Sequence, residues 1–256
     1  MKYGICNLSK IPLRIEANDR SEMVSEVLFG DHFEVIEKSK QWLKIKLSFD
    51  GYEGWIDKKQ SISISEDYFK KLTKAPLILS NELVDLIEDE KGNLIPILLG
   101  TRLPFYKNKT IDINGKHFTF EGNITKQAKP KSELINTAFK FLNAPYLWGG
   151  KTLFGLDCSG FTQMVYKING QKLLRDAAQQ ASQGEVLSFI EESEPGDLAF
   201  FDDEEGNIIH VGIILANNYI IHASGMVRVD RLDQSGIYNA DQKKHTHKLR
   251  VIKKIY

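Results

Sequence analysis

Apolar and polar residues alternate along much of the first 60 residues, and this alternation predicts β-strands. Leu43–Leu47 reads Leu-Lys-Ile-Lys-Leu, the two-residue period of a strand with one buried face. Another apolar run, Phe33–Ile36, precedes it, and the turn signal Asp50–Gly51 leads into Tyr52–Ile56. Turn signals at such short intervals favour a small β-barrel, which we predict over residues 1–60.

A second small β module is predicted over residues 61–125. Asn114–Gly115 separates the strand-like runs Thr110–Ile113 and Lys116–Phe120. Because Asn-Gly tolerates the positive φ angles of a tight hairpin turn, these two runs are expected to pair. Leu94–Leu99 is a further candidate strand, which its internal proline limits to a sheet edge or a bend.

The periodicity changes after a linker predicted at residues 126–131. Ser132 is expected to cap a helix. The apolar residues of its expected buried face are Leu134, Ile135, Ala138, Phe139 and Leu142. A second helix is predicted to follow Asp157 and to end at Asn169–Gly170. The later apolar runs are Leu198–Phe201, Ile208–Leu215, Tyr219–Ala223 and Met226–Val229. Helices followed by antiparallel strands make an α+β domain, predicted over residues 126–256.

Composition and charge narrow the function classes. The chain carries 34 Lys+Arg and 34 Asp+Glu, a formal net charge of zero. This balance disfavours a general nucleic-acid-binding protein, which would show a basic excess. The apolar runs are shorter than the roughly 20 residues of a membrane span, so no membrane insertion is expected. If Met1 is the natural start, the lack of a signal-peptide core near it predicts a cytoplasmic protein; a trimmed chain would allow a periplasmic or secreted one.

The two cysteines have different settings. Two cysteines are too few for a disulfide framework in a chain of this length, and Cys6 is interpreted as a small buried hydrophobe. Cys158 lies at the predicted first turn of a helix, between the polar residues Asp157 and Ser159. Because the N–H groups and dipole of a helix N-terminus stabilise negative charge, a lowered thiol pKa and a thiolate nucleophile are expected there.

A thiol nucleophile needs a base, and the chain has six histidines. His210 and His222 interrupt apolar predicted strands, which makes them the candidates. The other four are interpreted as structural, surface or solvated residues: His32, His117, His245 and His247. Because the last two are two residues apart, metal binding on a strand is a less favoured alternative for them.

The loop between the strand of His210 and the strand of His222 decides whether these two side chains lie on the same face. A two-residue loop, Asn217–Asn218, would place the two imidazoles on opposite faces of the hairpin. A three-residue loop beginning at Ala216 would pair His222 with Gly212 and place both rings on one face. Asparagine tolerates the left-handed conformation that the longer loop needs. A shared catalytic role therefore predicts the three-residue loop.

Several motifs together resemble those of NlpC-type cell-wall cysteine peptidases, in the order in which that family carries them. They are Tyr146–Gly150, Leu156–Phe161, Leu174–Ala177 with Gln180, Pro195–Leu198 with Phe201, His210–Ile213 and Tyr219–Ala223. The resemblance covers about residues 130–256. It implies a papain-like α+β fold and amide hydrolysis through a thioester, with no cofactor and no metal.

The resemblance also implies roles for individual residues. Cys158 corresponds to the nucleophile, His210 to its base, and His222 to the residue that orients this base. Tyr146 corresponds to a tyrosine that helps to stabilise the oxyanion. Members of this family characteristically cut the amide between γ-linked D-glutamate and a diamino acid, such as meso-diaminopimelate or lysine, in peptidoglycan stem peptides.

The N-terminal modules resemble bacterial SH3-like domains, clearly at Trp42–Ile45 and Asp50–Ile56 and weakly over residues 61–125. Two such β-barrel modules ahead of an NlpC domain resemble recycling enzymes that require a free N-terminal L-alanine on a murein tri- or tetrapeptide. In that subgroup the first module closes one end of the cleft, and acidic groups hold the α-amine.

This second resemblance points to substrate-binding residues. They are Asp157, Ser159, Asp176, Trp148, Tyr52 and Glu22. Asp176 fits the recycling subgroup, whereas Ala177 stands where relatives often carry a hydroxyl residue. Three of the six also have structural interpretations, Trp148 as a core aromatic, Asp157 as a helix N-cap and Asp176 as a loop residue.

Other functions stay open at this point. The same Cys158, His210 and His222 would serve a wall-attached hydrolase or an acyl transferase. A non-catalytic cell-wall peptide-binding protein is an alternative from another class. A zinc site built from these three residues is a further one, although their spacing matches no familiar zinc motif. No protein partner is predicted.

Overall fold

A computed structural model of the chain describes residues 1–126 and 128–256. The chain divides into two compact units, residues 1–127 and 128–256. Gln127, which falls within the predicted linker, lies outside the described residues.

The first unit is rich in β-strands, as its alternating pattern predicts. Its strands are β1 Tyr3–Ile5, β2 Lys10–Arg14, β3 Met23–Leu28, β4 His32–Ser39, β5 Trp42–Leu47, β6 Glu53–Asp57, β7 Ile62–Ile64, β8 Leu79–Ser80, β9 Val84–Asp89, β10 Leu94–Leu98, β11 Thr110–Ile113, β12 Lys116–Thr119 and β13 Ile124–Thr125. A 3₁₀ turn spans Lys58–Gln60, and helix α1 spans Glu66–Lys74.

The first seven strands form an antiparallel sheet in the order β3-β2-β6-β5-β4-β1-β7. Strand β5 shows why the alternating pattern folds this way, since Leu43, Ile45 and Leu47 are buried and Lys46 between them is exposed. These apolar side chains join Leu13 and other inward-facing residues in one core cluster. The first predicted β module therefore has its own core.

The rest of the first unit has two further sheets, which lie within the predicted second module at residues 61–125. Strands β10, β9, β12 and β11 make a four-stranded sheet in that order, and β13 pairs with β8. Thr110–Ile113 pairs with Lys116–Thr119 across Asn114–Gly115, whose φ angles are 54° and 83°, so the predicted hairpin is confirmed. Pro96 lies on β10 at the edge of the sheet, as predicted.

The second unit has helices followed by antiparallel strands, which confirms the α+β class. Its helices are α2 Ser132–Phe139, α3 Cys158–Ile168 and α4 Ala177–Gln180, with a 3₁₀ turn at Ile190–Glu192. Its strands are β14 Lys151–Thr152, β15 Gly155–Leu156, β16 Glu185–Leu187, β17 Leu198–Asp202, β18 Ile208–Leu215, β19 Tyr219–Ser224, β20 Met226–Asp233, β21 Gly236–Asn239 and β22 Lys244–Lys254.

The main sheet of this unit runs in the order β16-β22-β17-β18-β19-β20-β21. Strand β21 also pairs with β22, so six of the seven strands close into a barrel. Helix α3 packs against β18 and β19. This packing brings the start of the helix to the strands that carry His210 and His222.

Helix α2 differs from its prediction at both ends. Lys131 occupies the N-cap position with helical φ and ψ of −51° and −33°, so the backbone already turns there and Ser132 is the first helical residue rather than the cap. The helix ends at Phe139, and the predicted buried positions Phe139 and Leu142 are 43 % and 39 % exposed. Thr137 is buried instead.

Helix α3 follows its prediction closely. Asp157 is its N-cap, Asn169 its C-cap, and Gly170 has a φ of 85°. Within the part of the chain that the structure describes, no helix is both long enough and apolar enough to cross a membrane.

Candidate active site

Cys158 is the first residue of α3 and is held there by the carboxylate of Asp157. The Oδ1 atom of Asp157 accepts from the backbone N–H of Gly160 at 2.6 Å, and its Oδ2 accepts from the N–H of Gly149 at 2.8 Å. A side chain at Gly160 would collide with the carbonyl oxygen of Gly150. Glycine therefore lets the Gly149–Gly150 loop lie directly against the start of the helix, and Cys158 is only 5 % exposed.

The thiol of Cys158 is protonated in this environment. Burial raises its pKa to about 12, and the charge of Asp157 adds to this rise. Backbone hydrogen bonds from Val211 and Ser159 and the charge of Arg175 act in the opposite direction without offsetting burial. The expected lowered pKa at the helix N-terminus is therefore wrong for the unliganded protein, because loss of hydration outweighs the helix dipole. The thiol needs a base to become a nucleophile.

A buried ion pair lies beneath the nucleophile. The two terminal nitrogens of the Arg175 guanidinium donate to Asp157, NH1 to Oδ1 at 2.9 Å and NH2 to Oδ2 at 2.6 Å. Arg175 NH1 also donates to the hydroxyl of Ser159 at 2.9 Å. The N-cap interpretation of Asp157 is confirmed. Arg175 stands in one of the motifs quoted above, but no role was predicted for it; a single arginine in a loop carries no sequence signal for burial.

His210 and His222 meet as the three-residue loop requires. His222 pairs with Gly212 and Leu215 with Tyr219, which leaves Ala216, Asn217 and Asn218 in the loop. The two asparagines have φ angles of 59° and 60°. The predicted register is confirmed, and His210 Nε2 lies 2.8 Å from His222 Nδ1.

Gly212 makes room for this histidine pair. A Cβ atom at that position would lie 2.8 Å from the Cβ of His222 and 2.7 Å from Ile220 Cδ1. His210 and His222 are 5 % and 1 % exposed. Burial, together with the neighbouring His222 and His247, holds the pKa of His210 well below its usual value. A neutral imidazole, the form that accepts a proton, is therefore the resting state of His210.

Two polar residues that were not predicted extend the pair on strand β20. The Oδ2 atom of Asp230 lies 3.0 Å from His222 Nε2. Arg228 donates to the same carboxylate, through Nε to Oδ2 at 2.6 Å and through NH2 to Oδ1 at 2.9 Å. The predicted strand stopped at Val229, although continuing its alternation would have placed Arg228 and Asp230 on one face.

His247 also belongs to this cluster, and its interpretation as part of a solvated basic face is wrong. Its ring is half-buried and stacks on His210 with centroids 4.2 Å apart. Strand β22 brings it there by pairing with β17 and β21, a contact between distant segments that local sequence does not encode. His245 is 42 % exposed and pairs with Asp233, as the solvated interpretation expects.

Tyr146 lies close enough to the nucleophile for their charges to interact. Burial raises the pKa of Tyr146 to about 12, and Cys158 and Asp157 contribute to the rise. The phenol therefore keeps its proton and can donate a hydrogen bond. Its backbone N–H donates to the carbonyl of Gly225 at 2.9 Å, which anchors the segment to the strand region that follows His222.

The remaining predicted substrate contacts occupy different places in the fold. Trp148 is 60 % exposed, which excludes the core interpretation. Asp176 is half-buried at the N-cap of α4, where its backbone N–H donates to Gln179 Oε1 at 3.2 Å. Tyr52 packs against the core cluster of the first unit, and Glu22 is exposed there. The substrate contacts of these residues stay predictions.

The zinc alternative does not fit the geometry of the histidines. His210 Nε2 and His222 Nδ1 point at each other across a hydrogen bond rather than at a common ion. Among residues 1–126 and 128–256, no group of three or more His, Cys, Asp or Glu side chains is arranged to hold a metal ion.

Two known families match parts of the chain. Residues 143–250 match the NlpC/P60 family, and residues 13–60 match the bacterial dipeptidyl-peptidase Sh3 domain. The second unit carries an NlpC/P60 cysteine peptidase domain. The papain-like assignment of this domain and the SH3-like assignment of the first module are thereby confirmed.

Two curated relatives match most of the chain. The chain is 28 % identical over 230 residues to the γ-D-glutamyl-L-lysine dipeptidyl-peptidase of Bacillus cereus, covering 79 % of this chain and 68 % of that one. It is 26 % identical over 267 residues to dipeptidyl-peptidase 6 of Lysinibacillus sphaericus, covering 90 % and 92 %. A crystal structure of an NlpC/P60 family protein from Bacillus cereus has the same fold, with a TM-score of 0.83, 20 % identity and 99 % of both chains covered.

Proposed function

We propose that this NlpC/P60 peptidase hydrolyses the amide between γ-linked D-glutamate and a diamino acid in peptidoglycan stem peptides. The observation that carries the proposal is the buried His210–His222 hydrogen bond beside a cysteine that opens a helix. The names of the Bacillus relatives support a γ-D-glutamyl-L-lysine substrate. The proposal covers either lysine or meso-diaminopimelate at the third position.

The proposed mechanism begins with proton transfer from the Cys158 thiol to the Nδ1 of His210. The sulfur then attacks the γ-carbonyl carbon, and the C=O electron pair moves to the oxygen. The Tyr146 hydroxyl donates to this oxyanion. The imidazolium of His210 passes its proton to the departing amine as the C–N bond breaks, which leaves a thioester. Water, deprotonated by His210, hydrolyses the thioester and restores the thiol.

We further propose that the substrate must have a free N-terminal L-alanine. Asp176 is half-buried, so its carboxylate would pair with a substrate ammonium under reduced competition from water. Acylation of the alanine would remove the positive charge that this carboxylate is proposed to bind, and we expect a selectivity of about 100-fold for the free amine. Tyr52 and Glu22 of the first unit, with Ser159 and Trp148 of the second, are the further proposed substrate contacts.

A free amine is a feature of peptides already released from the wall sugar. We therefore propose murein peptide recycling, with the cytoplasm as the compartment. Cleavage of intact wall by the same site is the competing function.

Mass spectrometry of defined peptides tests these proposals. Purified protein would be incubated with L-Ala-γ-D-Glu-L-Lys, its meso-diaminopimelate counterpart and the N-acetyl-L-alanine form of each. We expect release of L-Ala-D-Glu from the two free-amine peptides only. Cys158→Ala should release none, whereas Cys6→Ala, which removes the other thiol, should behave as wild type.

Each proposal has its own contrary outcome in this experiment. Absence of cleavage of every peptide would overturn the proposed reaction. Equal cleavage of free and acetylated peptides would overturn the free-amine requirement, and release of peptide from intact sacculi would favour the wall-attached alternative. Loss of activity with a chelator would revive metal chemistry.

A further inference from the structure

The carboxylate of Asp230 ends a chain of hydrogen bonds that starts at the catalytic base. It lies against His222, whose other ring nitrogen lies against His210. We propose that Asp230 is a positioning residue, which fixes the proton of His222 on Nε2 and so leaves the Nδ1 of His210 free to accept the thiol proton. This inference rests on the proposed roles of Cys158, His210 and His222.

The proton positions follow from the donors and acceptors. A carboxylate only accepts hydrogen bonds, so the hydrogen in the 3.0 Å contact between His222 Nε2 and Asp230 Oδ2 belongs to His222. The Nδ1 of a neutral His222 then carries a lone pair. Because this lone pair faces His210 Nε2 at 2.8 Å, His210 must be the donor in that contact. The lone pair of His210 is therefore on Nδ1.

Arg228 keeps Asp230 in the ionised form that this arrangement needs. Burial acts to raise the pKa of Asp230, but the hydrogen bonds from His222 and Arg228 outweigh it and hold the pKa below the usual value. Arg228 is anchored in turn by Asp241, whose Oδ2 accepts from its NH2 at 2.8 Å. The carboxylate thus remains an acceptor across the neutral pH range.

The ring of His247 adds no charge to the cluster near neutral pH. It stacks on His210 and meets His222 edge-on at 5.7 Å between centroids. Burial lowers the pKa of His247 to about 4, with His222 acting in the same direction. The charged groups that face the two catalytic histidines from β20 are therefore Asp230 and its partner Arg228, while β22 contributes the neutral ring of His247 and β17 contributes Phe201.

Strand β20 also carries Asp233, whose contact with His245 of β22 serves as a comparison. Asp233 Oδ2 lies 2.8 Å from His245 Nε2, a contact of the same type as that between Asp230 and His222. Asp233 and His245 are 54 % and 42 % exposed, whereas Asp230 and His222 are 3 % and 1 % exposed. Water can replace the first carboxylate but not the second, so only the loss of Asp230 should reach His210.

Asp230→Ala and Asp230→Leu test the proposal in the full chain, with Asp233→Ala as the control. Asp230→Leu keeps the branching of the side chain at Cγ and leaves no cavity, so that one of the two variants folds if a cavity is harmful; circular dichroism would confirm the fold. Asp230→Asn is the conservative variant, because its amide oxygen still accepts from His222 Nε2.

The direct readout is nitrogen NMR of ¹⁵N-histidine-labelled protein, which distinguishes protonated from unprotonated ring nitrogens. We expect His210 and His222 to carry hydrogen on Nε2 in the wild type, Asp233→Ala and Asp230→Asn. In Asp230→Ala and Asp230→Leu, hydrogen should move to the Nδ1 of His222 in part of the population. Unchanged proton positions in these two variants would overturn the proposal.

Two further readouts separate this proposal from the proposed function. The rate of Cys158 alkylation by iodoacetamide, followed from pH 5 to 9, needs no substrate; its profile should shift in Asp230→Ala and Asp230→Leu only. If the tripeptides are cleaved, kcat/KM should fall by at least about tenfold in these two variants. Alkylation profiles and kcat/KM within about twofold of wild type would contradict the role of Asp230. Failure of every protein to cleave a peptide would overturn the proposed function, while the NMR result would still decide on Asp230.

Discussion

The two cysteines of this protein are alike in burial and differ in what surrounds them. Cys6 is 0 % and Cys158 5 % exposed, and burial raises the pKa of each thiol to about 12. The Cys6 thiol lies in an apolar cluster and donates to the carbonyl oxygens of Leu8 at 3.3 Å and Val27 at 3.7 Å. Cys158 opens a helix, and its sulfur accepts from the backbone N–H of Val211, the residue after His210.

The pKa of the resting thiol therefore does not identify which of the two cysteines is the nucleophile. Cys6 uses its proton in hydrogen bonds to carbonyls, and a thiolate there would face their oxygens. The sulfur of Cys158 faces backbone N–H groups that stabilise negative charge once His210 has taken the proton. The surroundings of the thiolate, rather than of the thiol, distinguish the two sites.

Replacing each cysteine by alanine in turn should give the largest difference between the two sites. Cys158→Ala should lower kcat/KM on a γ-D-glutamyl tripeptide by more than about 1000-fold, because no other group supplies the nucleophile. Cys6→Ala should leave kcat/KM within about twofold and lower stability by about 1 kcal/mol. Steady-state assays and urea unfolding measure the two effects. Retained activity in Cys158→Ala would end the nucleophile assignment.

Removing the charge beneath Cys158 should cost stability, because Asp157 and Arg175 form a buried ion pair there. Arg175→Met leaves the buried carboxylate of Asp157 without its bidentate partner. We expect a loss of about 3 kcal/mol in the free energy of unfolding. Lys131→Met, which removes a partly exposed partner of buried Asp197, is the matched variant and should cost less. Equal losses of unfolding free energy in the two variants, measured by urea titration, would contradict a larger contribution of the Asp157–Arg175 pair.

The ring that covers the base distinguishes the surroundings of Cys158 further. His247→Ala removes the stacking partner of His210 and admits water, so kcat should fall by about tenfold. His247→Phe keeps an aromatic ring and should retain most of the activity. If the alanine variant matched wild type, or the phenylalanine variant were as poor as alanine, stacking would not be the contribution of His247.

Each unit also has a neutral histidine, buried His32 in the first and half-buried His247 in the second, whose charging should destabilise that unit in acid. Burial, with the charge of Arg102, lowers the pKa of His32 to about 3, and burial lowers that of His247 to about 4. Because the unfolded chain takes up these protons near pH 6.5, stability is full above that pH and is lost as the pH falls toward the folded values. One such proton gives a slope of about 1.4 kcal/mol per pH unit.

Urea unfolding between pH 7 and pH 4 measures this slope. His32→Gln should flatten it, whereas His245→Gln, which changes an exposed histidine, should not. A wild-type stability that stays constant from pH 7 to pH 4 would contradict the assignment of these rings as buried and neutral.

Local sequence predicted the parts of the fold and of the site that depend on local chemistry. Turn or capping preferences of a few residues account for three of these features. They are the N-cap at Asp157, the Asn114–Gly115 hairpin and the register of His222 opposite Gly212. The loop register was decisive, since one residue fewer would have separated the two imidazoles.

The parts that escaped prediction depend on contacts between distant segments. His247 reaches His210 because β22 closes the barrel onto β21 and β17, and nothing within Lys244–Lys248 signals that closure. The high pKa of Cys158 depends on burial by surrounding elements, whereas the helix dipole that predicted a low value is a local property. The position of His247 and the burial of Cys158 therefore depend on chain topology, which periodicity and capping rules do not describe.

The most direct test of the central claim is to trap the acyl-enzyme. Wild-type protein would be mixed with L-Ala-γ-D-Glu-L-Lys, quenched in acid within milliseconds to seconds, digested and analysed by mass spectrometry. We expect an L-Ala-γ-D-Glu acyl group on the peptide that contains Cys158, none on the peptide that contains Cys6, and none on either in Cys158→Ala. Cleavage of the tripeptide by Cys158→Ala at the wild-type rate, with no acyl group on Cys158 in the wild type, would contradict this expectation.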